Sequence, residues 1–248
     1  MENTILLYEE LSMNAHPALR TQLYDGWVLR FSGGYTNRAN SVNPLYPSTL
    51  PLPEKVGFCE RIYAAQGLPP VFKLTEVSPA GLDAYLDACG YRVVTPSCVF
   101  TCEAMPGGEA GQGVTIAKRI EPSWREEYFR LNGTDAKQTA TASAMMGNIQ
   151  GNVLCAQMAV EGKTIACGLC VEERGYAGLY DIVVDPAYRR RGYGLVLCRS
   201  LLMEAAALGA RAFYLQVAAG NAPAIALYQK LGFRHRYHYH YRVLKVIR

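Results

Sequence analysis

An α/β fold with a mixed, mostly antiparallel sheet, laid out twice along the chain, is what the order of apolar runs predicts. Three observations carry it. Downstream of residue 113, apolar runs of strand length alternate with helical stretches in the order strand, helix, antiparallel meander, helix, strand, helix, strand. The segment Met105-Pro-Gly-Gly-Glu-Ala-Gly-Gln-Gly113 has linker composition, and the charge balance changes sign across it, from −4 over residues 1–109 to +8 over residues 110–248. The stretch before it repeats, in outline, the later part of the stretch after it. At 248 residues two ordinary domains fit, and the expected division is residues 1–105, a linker at 106–113, and residues 114–248.

In the second half, Val114 to Ile120 reads as a strand and Pro122 to Leu131 as a helix with Glu126 and Glu127 near its start. Asn152 to Val160 and Thr164 to Val171 are apolar runs joined by Glu161-Gly162-Lys163, a hairpin signal. A turn at Glu172 to Gly175 leads to the strand that ends Leu179-Tyr180-Asp181-Ile182-Val183-Val184. A helix from Leu195 to Leu208 stops at Gly209, Ala212 to Val217 is a strand, Pro223 to Leu231 is a helix ended by Gly232, and closing strands run through Val246. In the first half, Trp27 to Phe31, a Ser-Gly-Gly turn and Ala39 to Val42 mirror the two strands before Asp185-Pro186. Glu54 to Gln66 mirrors the long helix, Val71 to Thr75 the next strand, and Pro79 to Cys89 the helix before the final glycine. The copy lacks the chemistry of the original. Where the second half has an Arg/Gly loop, the first has Tyr46-Pro-Ser-Thr-Leu-Pro-Leu-Pro53, whose prolines remove amides that a phosphate needs.

Composition narrows the function classes. Half of the residues are hydrophobic and 19% are charged, which describes a folded chain and not a disordered one. Residues 1–11 carry three glutamates and no basic region ahead of an apolar run, so no secretory signal is expected, and no apolar run reaches membrane-spanning length. Eight cysteines scattered through strand-like and helical segments point to free thiols in a cytoplasmic protein. Cys167 and Cys170 form a C-x-x-C inside a strand, where their odd spacing turns them to opposite faces, so zinc is not expected. His235, His238 and His240 read as strand surface in an alternating aromatic run. No nucleic-acid motif is visible.

The densest chemistry lies in Arg189-Arg190-Arg191-Gly192-Tyr193-Gly194. It follows a strand and Asp185-Pro186 and opens a helix, so free backbone N–H groups and a helix dipole converge on one spot that suits phosphate. A charge-assisted bond there contributes roughly 1.5–3 kcal/mol, and the dipole about 0.3–1 kcal/mol. A solvated basic turn is the alternative for an isolated Arg run; the strand-to-helix setting favours the anion site.

Together, Val184-Asp185-Pro186, Arg189-x-x-Gly192-x-Gly194 and the block Asn221-Ala-Pro-Ala-Ile-Ala-Leu-Tyr-Gln-Lys-Leu-Gly-Phe233 resemble the GNAT superfamily of acyl-CoA-dependent N-acyltransferases. Its signature is Gln/Arg-x-x-Gly-x-Gly/Ala after a strand ending Val-x-Pro. The resemblance covers residues 114–248, and the first half resembles the degenerate GNAT-like domain of two-domain members. It implies a tandem GNAT-like fold with acetyl-CoA as co-substrate and a small-molecule or peptide amine as acceptor. It further implies that the amides from Arg190 to Leu195, with Arg189, wrap the CoA pyrophosphate. Ile182, Val183 and Val184 would line the pantetheine arm, and the Val184 N–H would polarise the thioester carbonyl. Asn221 would contact the arm, although Asn ahead of Ala-Pro is also a good helix cap. Tyr228 would protonate the leaving thiolate; otherwise it is a core tyrosine on the face of Ala224, Leu227 and Leu231.

Many family members carry a Glu as general base five residues before the Asn. Here that position is Gln216, which accepts no proton near neutral pH. Asp181 is the best remaining carboxylate, Glu172 and Glu173 read as turn residues, and removal of the proton by solvent is the other route. Acceptor selectivity is expected from Asn132 to Gly151. A non-catalytic acyl-CoA-binding module competes with the enzyme reading because of Gln216. Nucleotide binding is weaker, since no G-x-x-x-x-G-K-S/T occurs.

Overall fold

The computed structural model describes residues 2–103 and 111–244. In chain order they form α1 (Glu2–Ala15), β1 (Arg20–Tyr24), β2 (Trp27–Phe31), β3 (Val42–Pro44), α2 (Leu52–Ala64), β4 (Val71–Leu74), α3 (Leu82–Ala88) and β5 (Tyr91–Cys102). There follow β6 (Val114–Ala117), α4 (Pro122–Asn132), α5 (Ala136–Gly147), β7 (Asn152–Val160), β8 (Lys163–Glu173) and β9 (Tyr176–Val184). The last elements are α6 (Tyr193–Ala207), β10 (Ala212–Ala218), α7 (Ala222–Lys230) and β11 (Arg234–Leu244). Local chemistry accounts for many boundaries. The hairpins turn at Asp25-Gly26, Glu161-Gly162 and Arg174-Gly175, each with both residues at positive φ, the geometry that matches strand twist. Asp135 caps α5 by accepting the Gln138 N–H at 2.9 Å, and Gly133 at φ 67 ends α4.

Two units result. One holds residues 2–98, 218–220 and 237–244; the other holds 99–103, 111–217 and 221–236. Most of the segment expected as a linker, 106–110 of 106–113, lies outside the described residues. In the first unit the strand order is β1-β2-β3-β4-β11, with β3 and β4 parallel and the other neighbours antiparallel. In the second it is β10-β9-β8-β7-β6, with β9 and β10 parallel. Each unit therefore runs antiparallel, antiparallel, parallel from β1 or from β7, with α2 or α6 as the crossover, which is the duplication that the sequence pattern predicts. The final strand departs from the expected 114–248 division. From Tyr237 onward it belongs to the first unit, where β11 pairs with β4 from His240↔Leu74 to Val243↔Val71.

The first unit's core gathers Trp27, Leu29, Tyr63, Phe72, Leu82, Leu86 and Tyr91 between its sheet and α2 and α3. Polar groups fix α1 beside it. Glu9, fully buried, accepts from the Lys73 ammonium and from the Tyr237 hydroxyl at 2.8 Å, and the same ammonium lies 4.1 Å from the centre of the Tyr239 ring. The Arg30 guanidinium donates to the Met13 and His16 carbonyls where α1 ends, which satisfies groups a helix leaves open. Among the described residues, no helix is long and apolar enough to cross a membrane.

The first unit's counterpart of the Arg/Gly loop is filled from within. The Asp25 carboxylate accepts the Thr49 and Leu50 N–H groups at 3.0 and 2.9 Å, the Thr49 hydroxyl at 3.0 Å and the Lys55 ammonium at 3.0 Å. These donors, led by the Leu50 amide, hold the Asp25 carboxyl well below the usual carboxylate range. Lys55 is fully buried and lies over the Trp27 ring. Gly26 is required beside it, because a Cβ there would stand 2.2 Å from the Pro47 carbonyl oxygen.

In the second unit the sheet lies between α4 and α6. Cys167 feels Glu127 and Arg130 of α4, whereas Cys170 feels Cys198 of α6, so the two thiols do face opposite ways. Trp124 of α4 donates Nε1–H to the Ala156 carbonyl at 2.9 Å. On the other face a Cβ at Gly168 would come within 2.8 Å of Ile182 and 3.1 Å of Leu197 and Leu201, so α6 presses directly on β8 and β9. Two helices, α1 and α5, occur where periodicity predicts none.

Candidate active site

Strands β9 and β10 pair only from Ala212↔Tyr176 to Leu215↔Leu179, yet β9 runs on to Val184 and β10 to Ala218. Beyond Leu179 the two strands part. Asp185 N–H donates to the Ile165 carbonyl at 2.8 Å, so in the antiparallel ladder Val184, one residue back, turns its own N–H and C=O away from β8 and toward that parting. By the same alternation Ile182 does so too. The backbone of Ile182 and Val184 thus offers a strand edge inside the unit.

The Arg/Gly loop stands at the mouth of this gap. Pro186 to Tyr188 form a single 3-10 turn whose start is fixed by Asp185, which accepts the Ala187 N–H at 3.0 Å. Arg190 at φ 63 and Gly192 at φ 86 bend the chain into α6. At Gly192 this left-handed geometry favours glycine, and no side chain caps the helix there. Leu195 and Val196 N–H both bond to the Gly192 carbonyl, at 3.0 and 3.2 Å. Of the amides expected on a phosphate, that of Leu195 is therefore engaged within the first turn, while those of Tyr193 and Gly194 stand ahead of the first intrahelical bond. Arg189, Arg190 and Arg191 are exposed; Arg189 Nε donates to the Val184 carbonyl at 3.0 Å. Tyr188 receives Lys163 and Arg191 over its ring, each at 5.5 Å, and Lys163 is paired with Asp185 at 3.1 Å.

The second sequence block meets the same spot. A Cβ on Gly194 would lie 3.0 Å from Leu227 of α7 and 3.5 Å from Val184 of β9, so the loop helix, the strand edge and α7 converge there. Asn221 caps α7 by accepting the Ala224 N–H at 3.3 Å. Tyr228, the residue after Leu227, is half-buried and meets Phe233 edge-on at 6.2 Å. None of the residues of α7 is buried.

The carboxylates separate clearly. Asp181, at φ 52, is the extra residue of a bulge between β9 and β8, where Tyr180↔Leu169 gives way to Val183↔Cys167. Its side chain turns away from α6 and accepts the Tyr128 hydroxyl of α4 at 3.1 Å. Glu172 is buried and fixes its turn, accepting from Asn152 at 2.6 Å and from the Gly175 N–H at 2.9 Å. Glu173 pairs with Arg174 at 3.3 Å. Gln216 is half-buried on β10, one residue past the last pairing with β9. Tyr128 is the residue that the sequence reading passes over; its signal there is the i,i+4 aromatic pair with Trp124, whose ring stacks on it at 5.4 Å.

The family model described as "Probable histone acetyltransferase Rv0428c C-terminal" matches residues 4–242. The uncharacterized N-acetyltransferase YobR of Bacillus subtilis is 30% identical over 240 residues, covering 95% of this chain and 96% of that protein. The ribosomal protein bS18-alanine N-acetyltransferase of Escherichia coli is 40% identical over 77 residues, 31% of this chain and 52% of that enzyme. Among solved structures, a GCN5-related N-acetyltransferase from Kribbella flavida superposes with a TM-score of 0.70 over 96% of this chain and 94% of that one, at 16% identity, and so shares the fold. With a family model spanning both units and a relative matched over nearly its whole length, the chain belongs to this acetyltransferase family and, with it, to the GNAT superfamily of N-acetyltransferases.

Proposed function

We propose that the second unit transfers an acetyl group from acetyl-CoA to a primary amine by direct attack. The observation that carries this reading is the parting of β9 from β10 beyond Leu179 and Leu215, with the loop of Arg189 to Gly194 at its mouth. A pantetheine arm enters as an added strand along Ile182, Val183 and Val184. The pyrophosphate rests on the amides and cations that open α6, where Arg189 exchanges the Val184 carbonyl for phosphate oxygen. Burial pushes the Cys155, Cys167 and Cys198 thiols up to about 12 and Cys170 higher still, so these cysteines stay protonated near neutral pH. That supports attack by the acceptor itself, without an acyl-cysteine, and suits a reducing, cytoplasmic setting.

The acceptor ammonium gives one proton to Asp181, directly or through water, and the freed nitrogen lone pair forms the C–N bond at the thioester carbonyl. The Val184 N–H steadies the oxygen as it gains charge. The C–S bond breaks, the thiolate takes a proton from Tyr228, and the second nitrogen proton returns to Tyr228 through water. Asp181 then releases its proton to solvent, so one proton leaves per turnover.

The test is a thiol-release screen with acetyl-CoA against small amines, amino acids, aminoglycosides and peptides. A peptide with N-terminal alanine is included because of the bS18-alanine acetyltransferase match. Thiol released in step with one acceptor is the expected result; tight CoA binding with no turnover on any amine would instead make the chain a binding module. In the same assay Arg191→Glu should weaken acetyl-CoA binding about tenfold, roughly 1.4 kcal/mol. The deficit should shrink as salt is raised. Equal binding by both proteins would remove the phosphate role of the loop.

A further inference from the structure

We propose that Tyr128 is a positioning residue for Asp181: its hydroxyl holds the carboxylate in place and keeps it ionised, ready to take the acceptor's proton. This rests on Asp181 being the base in the reading above. Three observations support it. Asp181 occupies a bulge at φ 52, a conformation that non-glycine residues rarely adopt and that re-aims a side chain out of the regular strand. The hydroxyl of Tyr128 donates to Asp181 Oδ1 at 3.1 Å. That hydroxyl is itself held rigidly. Tyr128 is 5% exposed, and its ring stacks on Trp124 with 9° between the planes. Trp124 in turn is tied to the Ala156 carbonyl of β7 through Nε1–H at 2.9 Å. A chain of contacts thus runs from the sheet through two aromatic rings to one carboxylate oxygen.

The chemistry follows from that donated bond. A hydroxyl that donates to a carboxylate stabilises the charged form over the protonated one. A base that is fixed before substrate arrives needs no reordering when it acts. The cysteine thiols nearby do not share this role. Cys155 of β7 faces Asp181, but burial first, and then the Asp181 charge, push its thiol up to about 12. Further along the same face, Cys167 of β8, also pushed up to about 12, lies near Glu127 and Arg130 of α4, and those two are paired with each other at 2.6 Å. Tyr128 donates to the carboxylate from α4.

The experiment titrates the carboxyl carbon of Asp181 by NMR in protein labelled at aspartate, the signal being assigned by its disappearance in Asp181→Asn. Tyr128→Phe keeps the ring and its stacking and removes only the hydroxyl. The expected result is a midpoint raised by about half a unit to one unit relative to the unchanged protein. An unchanged midpoint overturns the proposal. This readout needs no acceptor, so it stands apart from the transferase reading. With an acceptor in hand, the acidic limb of the kcat/KM profile should move by the same amount in Tyr128→Phe, with KM for acetyl-CoA within about twofold. A uniform loss of rate with an unmoved limb would mean a structural role only and would overturn it. In the Asp181→Asn background Tyr128→Phe should cause no further loss of rate, whereas an additive loss would show that Tyr128 does not act through Asp181. Full activity in Asp181→Asn alone would remove the base assignment, and this proposal with it, while leaving acetyl transfer intact.

Discussion

Tyr228→Phe is expected to lower kcat about a hundredfold or more while changing KM for acetyl-CoA by less than about twofold. Only the hydroxyl is removed, and the ring's edge contact with Phe233 persists. Packing and cofactor affinity should therefore survive. On the proposed mechanism, what is lost is the proton that neutralises the departing thiolate, an event confined to the transition state. Steady-state kinetics against acetyl-CoA at saturating acceptor separate the two effects. Turnover within threefold of the unchanged enzyme would return Tyr228 to a packing role and leave solvent as the acid. The placement of Tyr228 supports the first outcome. Its neighbour Leu227 touches the start of α6 at Gly194, so the tyrosine sits one residue from the point where the strand edge, the Arg/Gly loop and α7 meet.

The largest stability effect is expected in the first unit, at Glu9→Ala. Removing this carboxylate leaves the Lys73 ammonium buried, with 4% exposure, and deprives the Tyr237 hydroxyl of its acceptor. A buried ion stripped of its partner typically costs about 3–5 kcal/mol. Thermal and urea unfolding should both register the loss, as a Tm lower by roughly 10 °C or more. The double variant Glu9→Met with Lys73→Met should recover most of it, because two apolar side chains leave no stranded charge. A single-variant loss below about 1 kcal/mol would mean that water reaches Lys73 and that the pair contributes little.

The site's local parts were readable in the sequence because their physics is local. A strand end, a glycine at positive φ and a helix start within ten residues are signalled by adjacent residue types, and Gly192 at φ 86 opening α6 has that geometry. Asn221 ahead of Ala222-Pro223 is a cap by residue type alone, and it accepts the Ala224 N–H as expected. What stayed hidden depends on partners distant in sequence. The apolar period of α1 is broken by Glu9 and Ser12, which face inward; Glu9 can do so because Lys73, 64 positions away, neutralises it. The alternation of Tyr237, Tyr239 and Tyr241 marks β11 as a strand with one buried face, but no local rule names β4 as the strand it joins. Asp181 could be singled out as a carboxylate inside a strand. Its bulge depends on register with β8, and Tyr128 comes from 53 residues earlier on another element.

The carboxylate of Asp25, seated among the Thr49 and Leu50 amides and the Lys55 ammonium, changes how the two units respond to their surroundings. A free anion occupies its site according to concentration, so the stability it confers rises and falls with supply. Asp25 is delivered by the backbone, always at full occupancy. Because its carboxyl titrates well below the ordinary value, the charge that closes the loop is fully present above about pH 4 and is lost only as the solution becomes strongly acidic. The first unit thus has a counter-ion that dilution does not remove and that no change of pH within the physiological range discharges. The second unit, on the reading proposed above, is the half whose stability is linked to the cofactor pool.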